Sequence, residues 1–344
     1  MTPDNNRLQK WIDSGTKIPA GPYHVDAMTG LRARSGSDID LTGVILHTIP
    51  NGWNKYYALL RIDGVSGVTI SGGVIHGDRQ THIGIPGESG MGIAIRRTTG
   101  ARLIGVECRD CCGDGVYISN ESSDITLTRV RCLDNRRNGL TITSARGVIV
   151  QGGEYSGTNG TLPKLGIDVE VNLGETVDGV TVDGAVFVGN RGGGFRCSVP
   201  IQHFDHAWTR NITVTGCTFL KNGEVYQSLS ALRAQQVRGV TFIGNTLVEN
   251  IGMGIDVRHT PDVTIRNNNV AKTYRSQHPT LTQFDAGLVI DTCTGVVLAD
   301  NLVSDNRGRG ISLSKAYGTA ARNVSLRNKL GNNGQMQPTP AGGV

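Results

Sequence analysis

Two carboxylates stand two residues apart in GIDVEVN, residues 166–172: Asp168 and Glu170. Apolar and polar residues alternate there, so the stretch reads as a strand with its polar side chains on one face. Residues i and i+2 of a strand are about 6.6 Å apart. Carboxyl pairs roughly 5–9.5 Å apart perform glycoside hydrolysis, one as acid and the other as base or nucleophile. A neighbouring like charge raises a carboxyl pKa. Glu170, with the higher reference value, is therefore the expected proton donor, and Asp168 the base acting through a water. The structural alternative is a solvated polar face, or ion pairs between strands.

Arg196 and Arg233 occupy equivalent places in later phrases of the sequence, and Asp256 follows them. A guanidinium there can hold a sugar carboxylate or sulfate, or Arg196 can simply pair with Asp168. Tyr117, on the other side of Asp168, can stack on a sugar or donate a hydrogen bond. HGDRQTHIGIPGESGMG, residues 76–92, concentrates titratable groups in one excursion. His82 is a candidate base near neutral pH, and Glu88 a further acid. His76 and His82 lack the spacing of a metal site, and no metal ligands are assigned. Asp114, in CRDCCGDGVYI at 108–118, is a groove candidate or a turn aspartate before glycine. Cys108 and Cys111 have CxxC spacing, but Cys108 falls at an inward position. In QHFDHAW, residues 202–208, His203, Asp205, His206 and Trp208 can line a groove wall, with Trp208 as a sugar platform. RSQHPTLTQFD at 275–285 is a less specific candidate of the same kind.

These residues are spread over a repeat. A four-residue phrase recurs as GIAI (92–95), GVYI (115–118), GLTI (139–142), GIDV (166–169), GFRC (194–197), ALRA (231–234), GIDV (254–257), GLVI (287–290) and GISL (310–313). Its second and fourth positions are apolar and its third is variable, the signature of a strand with one buried face. A second phrase of the VTISGGVI type (68–75) intervenes. The shortest spacing, 23 residues, suits one coil of a β-solenoid, and longer spacings add loops. Neither a leucine-rich consensus nor a propeller-length unit of about 40 residues fits as well. Stacked coils align equivalent residues, so Asn135, Asn190, Asn222, Asn250 and Asn306 form an expected column of turn formers that hydrogen-bond between coils. Cys108 and Cys132 share an inward column with Tyr155, Phe187, Phe219 and Leu247.

The expected organisation is an N-terminal cap with first strands at 1–60, a β-helix at 61–330, and a flexible tail or linker at 331–344. Leu8, Trp11 and Ile12 have helical spacing within the cap. The 344 residues contain 48 Gly and seven Cys, and the net charge is +5. The odd cysteine count leaves at least one unpaired, and most read as small buried apolar residues. The small basic excess, without a basic run or motif, argues against nucleic acid. No run of 18 apolar residues marks a membrane span, and no signal peptide is visible in MTPDNNRLQKWIDSG.

With LQKWIDSG…IPAGPYHVD near its start, GVTISGGVIHGD at 67–78 and the strand–turn phrases through residue 313, the chain resembles the pectate-lyase-like superfamily. The likeness is strongest to carbohydrate-active members and tailspike-like domains. It implies an all-β fold, a right-handed parallel β-helix of about nine to ten coils. It also implies a polysaccharide or oligosaccharide partner, an extracellular or virion-associated setting, and a homotrimer if the chain is tailspike-like. It lends weight to Asp114 as a groove residue. The DPHE sequence of alginate epimerases is absent, as is the NTD of polygalacturonases. Three functions follow: a glycoside hydrolase using a carboxylate pair, a uronate lyase, or a non-catalytic glycan-binding module. The hydrolase is preferred and needs no cofactor. The lyase would draw on Arg196, Arg233, His82 and Tyr117, or on Ca²⁺ held by Asp168 and Glu170.

Overall fold

The computed structural model describes residues 1–84, 88–200, 208–224, 230–274 and 286–338. It divides into two compact units, Met1–Asp168 and Val169–Val344. Apart from one helix, the described residues of both are built mainly from parallel strands.

The helix Asn5–Ser14 buries Leu8 and Ile12, as their spacing predicts, and closes on Gly15 in the left-handed conformation. Parallel pairing begins directly after it, between Gly21–Val25 and Val44–Thr48. In the first unit one inward column runs Leu31, Leu60, Ile93, Val116, Leu140. A second runs Tyr23, Leu46, Ile75, Cys108, Cys132, Tyr155. The second unit repeats the arrangement with Phe195, Leu232, Ile255, Leu288, Ile311 and with Phe187, Phe219, Leu247, Val270, Val303. Apolar side chains thus stack on like side chains, and the Phe187 and Phe219 rings lie parallel, 4.5 Å apart. All seven cysteines are buried and none forms a disulfide.

The glycine that opens most of the four-residue phrases, though not ALRA, has a packing cause. A Cβ on Gly254 would lie 2.3 Å from Val270 Cγ1, and one on Gly194 2.3 Å from the Phe219 ring. The backbone there passes against the second inward column, leaving no room for a side chain.

The asparagine column is present, but Asn does not form the turn. The residue before it does: Asp134, Lys221, Glu249 and Asp305 have φ of 53°, 55°, 58° and 57°, and Gly189 has 65°. The left-handed conformation costs a non-glycine residue about 1 kcal/mol or more. The following Asn side chain turns inward and bridges coils. Asn222 Nδ2 donates to Asn250 Oδ1 at 3.0 Å and to Phe187 O at 2.9 Å, and Asn222 Oδ1 accepts from Asn190 N and Nδ2 at 3.1 and 2.9 Å. A second ladder at another corner, Asn245, Asn268, Asn301, Asn323, repeats this pattern with Nδ2–Oδ1 distances of 2.9, 2.9 and 2.8 Å.

Replacing Asn222 by Ala removes one hydrogen bond from each of three buried polar groups, Phe187 O, Asn190 N and Asn190 Nδ2. Each such loss costs about 1–3 kcal/mol, so Asn222→Ala should lower stability by about 3 kcal/mol or more. Chemical denaturation followed by circular dichroism measures this. An unchanged midpoint would show that the ladder contributes no net stability.

Candidate functional site

The third residue of each phrase points out of its coil, yet most of that column is buried: Ala94, Thr141, Asp168, Asp256 and Val289 are all inaccessible. Alternation fixes which way a side chain points, not what lies over it.

A polar cluster in the first unit centres on Asp114. It lies in the corner between Glu107–Arg109 and Val116–Ser119 and is fully buried. Its Oδ1 accepts from Asn138 N at 3.0 Å, and its Oδ2 is 3.4 Å from Arg137 Nη1. Asn138 Nδ2 donates to Thr141 Oγ1 at 2.9 Å, and Asn138 Oδ1 accepts from Leu165 N at 2.9 Å. Arg137 also lies 3.9 Å from the Glu88 carboxylate, which is 73 % exposed. The Glu88–Ser89 backbone sits directly over Gly113, where a Cβ would meet Glu88 O at 2.6 Å. Burial pushes the Asp114 carboxyl up to about 6, and the charge of Asp168 adds to the shift, against the opposing pull of Arg137 and of hydrogen bonds from Thr141 and Asn138. A carboxyl that titrates near neutrality beside an ionisable partner is the arrangement acid–base sites use.

Tyr117 borders this cluster. Its ring packs on Ala58, Met91 and Ala94, its hydroxyl is 3.5 Å from Thr143 Oγ1, and Tyr56 meets it edge-on at 6.4 Å. The Arg96 guanidinium lies 4.9 Å from the centre of the half-exposed Tyr56 ring. Sequence reasoning missed Arg137 and Tyr56. Arg137 lies at a corner between phrases, and Tyr56 precedes the first four-residue phrase.

The other expected residues fall elsewhere. Asp168 and Glu170 lie on one strand, Leu165–Glu170, but Asp168 is buried while Glu170 is about one-third exposed and lies 3.5 Å from Arg196 Nη2. Asp168 closes the first compact unit and Glu170 belongs to the second. Asp256 is buried between Arg258 Nε at 2.7 Å, Arg233 Nε at 3.5 Å and Ser230 Oγ at 3.2 Å, an ion cluster that accounts for Arg233 structurally. Trp208 is exposed, with the Arg210 guanidinium 4.5 Å from its ring centre. His82 is buried against Asp78. His203, Asp205 and His206, and the segment 275–285, lie outside the described residues. On the outer face of the first unit, His24, His47 and His76 share one register, with His47 Nδ1 3.0 Å from His76 Nδ1. Burial, helped by the charges of His76 and His24, lowers the His47 pKa.

Residues 23–163 and 174–342 match the family model described as the right-handed beta helix region. Two Bacillus subtilis proteins are similar in sequence. The uncharacterized protein YclG is 28% identical over 311 residues, 74% of this chain and 52% of YclG. The SPbeta prophage-derived uncharacterized protein YorA is 23% identical over 356 residues, 90% of this chain and 53% of YorA. The chain thus spans about half the length of these relatives. Among solved structures, the Azotobacter vinelandii mannuronan C-5 epimerase AlgE4 A-module superposes with a TM-score of 0.71 at 16% identity, covering 100% of this chain and 96% of that one. The Dettilon tailspike protein gives 0.60 at 13% identity, covering 97% and 65%. The Streptococcus pneumoniae surface adhesin PfbA gives 0.58 at 14% identity, covering 96% and 90%. At these identities the superpositions establish the shared fold: an all-β, right-handed parallel β-helix. No helix among the described residues is long and apolar enough to cross a membrane.

The His47 and Asp114 shifts act oppositely on stability. His47 takes up a proton less readily in the folded chain, so folding loses stability as pH falls below 6.5. Asp114 holds its proton more tightly when folded, so folding gains stability as pH falls through about 6 toward its ordinary value of 3.8. On acidification from pH 7 to 4, the melting temperature of Asp114→Asn should therefore fall more steeply than wild type, and that of His47→Gln less steeply. Parallel curves for all three proteins would contradict both assignments.

Proposed function

The chain belongs to the right-handed β-helix family, and from that premise we propose that it acts on a polysaccharide, with Asp114 and Asp168 as the acid–base pair of a glycoside hydrolysis. The observation that carries this reading is the Asp114 carboxyl, held protonated up to a pH of about 6 beside Asp168. Glu170, the donor expected from the spacing alone, lies 3.5 Å from Arg196, an ion pair that accounts for it structurally. In the proposed reaction Asp114 donates its proton to the glycosidic oxygen as the bond to the anomeric carbon breaks. Asp168 takes a proton from the water that attacks that carbon. Arg137 would meet an anionic sugar substituent, and Tyr56 and Tyr117 would offer their rings to the sugar. The polymer would displace the Glu88–Ser89 backbone to reach Asp114. The tailspike and adhesin likenesses support an extracellular or virion-associated setting.

Arg137 also favours a second reading, β-elimination on a uronate polymer. A guanidinium beside a buried carboxyl can neutralise the uronate carboxylate while a base removes the C5 proton. The likeness to a mannuronan C-5 epimerase supports a uronate substrate. Product analysis separates the two reactions: elimination creates an unsaturated, ultraviolet-absorbing end, and hydrolysis creates only new reducing ends.

On a panel of acidic polysaccharides, Asp114→Asn should lower kcat by about 10²-fold or more, the usual worth of a general acid. KM should change little, and the wild-type rate should fall as pH rises through about 6. Glu170→Gln should keep most of the turnover, with and without chelator. Near wild-type turnover in both Asp114→Asn and Asp168→Asn would end the proposal, and glycan binding without cleavage by wild type would establish a binding module instead.

A further inference from the structure

A second cluster in the first unit plays no part in that reaction. Asp78 and His82 lie four residues apart, in the turn after Val74–His76. Cys112 stands one coil on, three residues beyond the strand Glu107–Arg109. His82 Nδ1 is 2.9 Å from Asp78 Oδ2. One carboxylate oxygen of Asp78, one ring nitrogen of His82 and the Cys112 sulfur all lie within 4.8 Å of one another. The Asp78 and His82 side chains are 1 % and 2 % exposed, and Cys112 is 1 % exposed.

The surroundings orient these groups. Asn51 Nδ2 donates to Asp78 Oδ2 at 2.9 Å, and Tyr57 Oη donates to Asp78 Oδ1 at 3.3 Å. The chain closes over the cluster at Gly90, where a Cβ would lie 2.6 Å from Tyr57 Oη and 2.8 Å from Cys112 Cβ. One polar atom remains unsatisfied: buried His82 Nε2 has no hydrogen-bond partner among the described residues. A buried polar atom left without a partner is costly, and in a native site it calls for an occupant.

We propose that Asp78, His82 and Cys112 bind one Zn²⁺ ion. A carboxylate, an imidazole and a thiolate form a mixed oxygen, nitrogen and sulfur set that suits zinc. The thiolate argues against Ca²⁺ or Mg²⁺, which take oxygen ligands. Neighbouring ligand atoms around tetrahedral zinc are roughly 3–4 Å apart, so binding draws the three groups slightly together. The Cys112 thiol gives its proton to solvent as the Zn–S bond forms, and a water completes the tetrahedron. A nucleophilic Cys–His–Asp reading fits less well, because reactive thiols are partly exposed and this one is not. The ion would pin the 78–82 turn to the next coil, close to where Glu88–Ser89 covers Gly113. Metal binding does not depend on the polysaccharide reading, since it shares no residue with the Asp114–Asp168 pair.

The test uses the whole chain, stripped of metal and titrated with Co²⁺ and then Zn²⁺. One equivalent of Co²⁺ should bind per chain with a sulfur-to-cobalt charge-transfer band, which Zn²⁺ displaces, and Zn²⁺ should raise the melting temperature. Cys112→Ser should lose the band, and His82→Gln should lose stoichiometric binding. X-ray absorption at the zinc edge of the wild-type complex should show one sulfur neighbour beside nitrogen and oxygen, which decides the matter even where a variant fails to fold. Absence of stoichiometric binding, a zinc shell without sulfur, or a band that survives Cys112→Ser would overturn the proposal.

Discussion

A single coil of this chain cannot bury its own apolar side chains, and their burial between coils is the constraint on which the rest depends. Each coil presents its backbone hydrogen-bonding groups and its inward residues to the next, so equivalent positions must meet at the same register. Leu31, Leu60, Ile93, Val116 and Leu140 obey that rule in the first unit, and Phe195, Leu232, Ile255, Leu288 and Ile311 in the second. The corners must then be sharp. Sharpness comes from a left-handed residue whose strain is offset by the inward Asn that follows it. That Asn satisfies buried backbone groups of the neighbouring coil, so turn and stacking stabilise each other.

The same constraint shapes the chemistry. A corner that buries polar groups to satisfy backbone can also bury a carboxyl, and Asp114 occupies such a place, with Asn138 N and Arg137 as its partners. Burial there raises its affinity for a proton, where the partly exposed carboxylates Asp300 and Asp305, each paired with an arginine, are pulled the other way. Carboxyl groups of similar intrinsic acidity thus end at different proton affinities because one corner excludes water and others do not. The Asp78–His82–Cys112 cluster follows the same logic. It arises where an insertion between coils folds back and is covered at Gly90.

Much of the fold was legible in the sequence. The nine alternating phrases, the 23-residue minimum spacing and the aligned apolar positions identify stacked parallel strands, because a solenoid repeats the same local problem in every coil. The shared column of Cys108, Cys132 and Tyr155 was readable for that reason. The second asparagine ladder was visible in the letters too, since Asn245, Asn268 and Asn301 each stand sixth in their eight-residue phrase. The corner residue's left-handed conformation was not legible, since Asp, Lys and Glu there give no local sign of positive φ.

The site was less legible. Sequence determined that Asp168 and Glu170 share a strand, that Tyr117, Arg196, Arg233 and Asp256 recur at the outward position, and that the excursion at 76–92 carries titratable groups. Only the tertiary structure decided that Asp168 is buried while Glu170 meets Arg196. It alone brought Arg137 to Asp114 and Cys112 to Asp78 and His82. The reason is physical. Strand alternation is a property of the local backbone, which the sequence encodes directly. Burial, charge pairing and ligand clustering depend on residues one coil away and on the segments that cover them, distances that the order of residues along the chain does not contain.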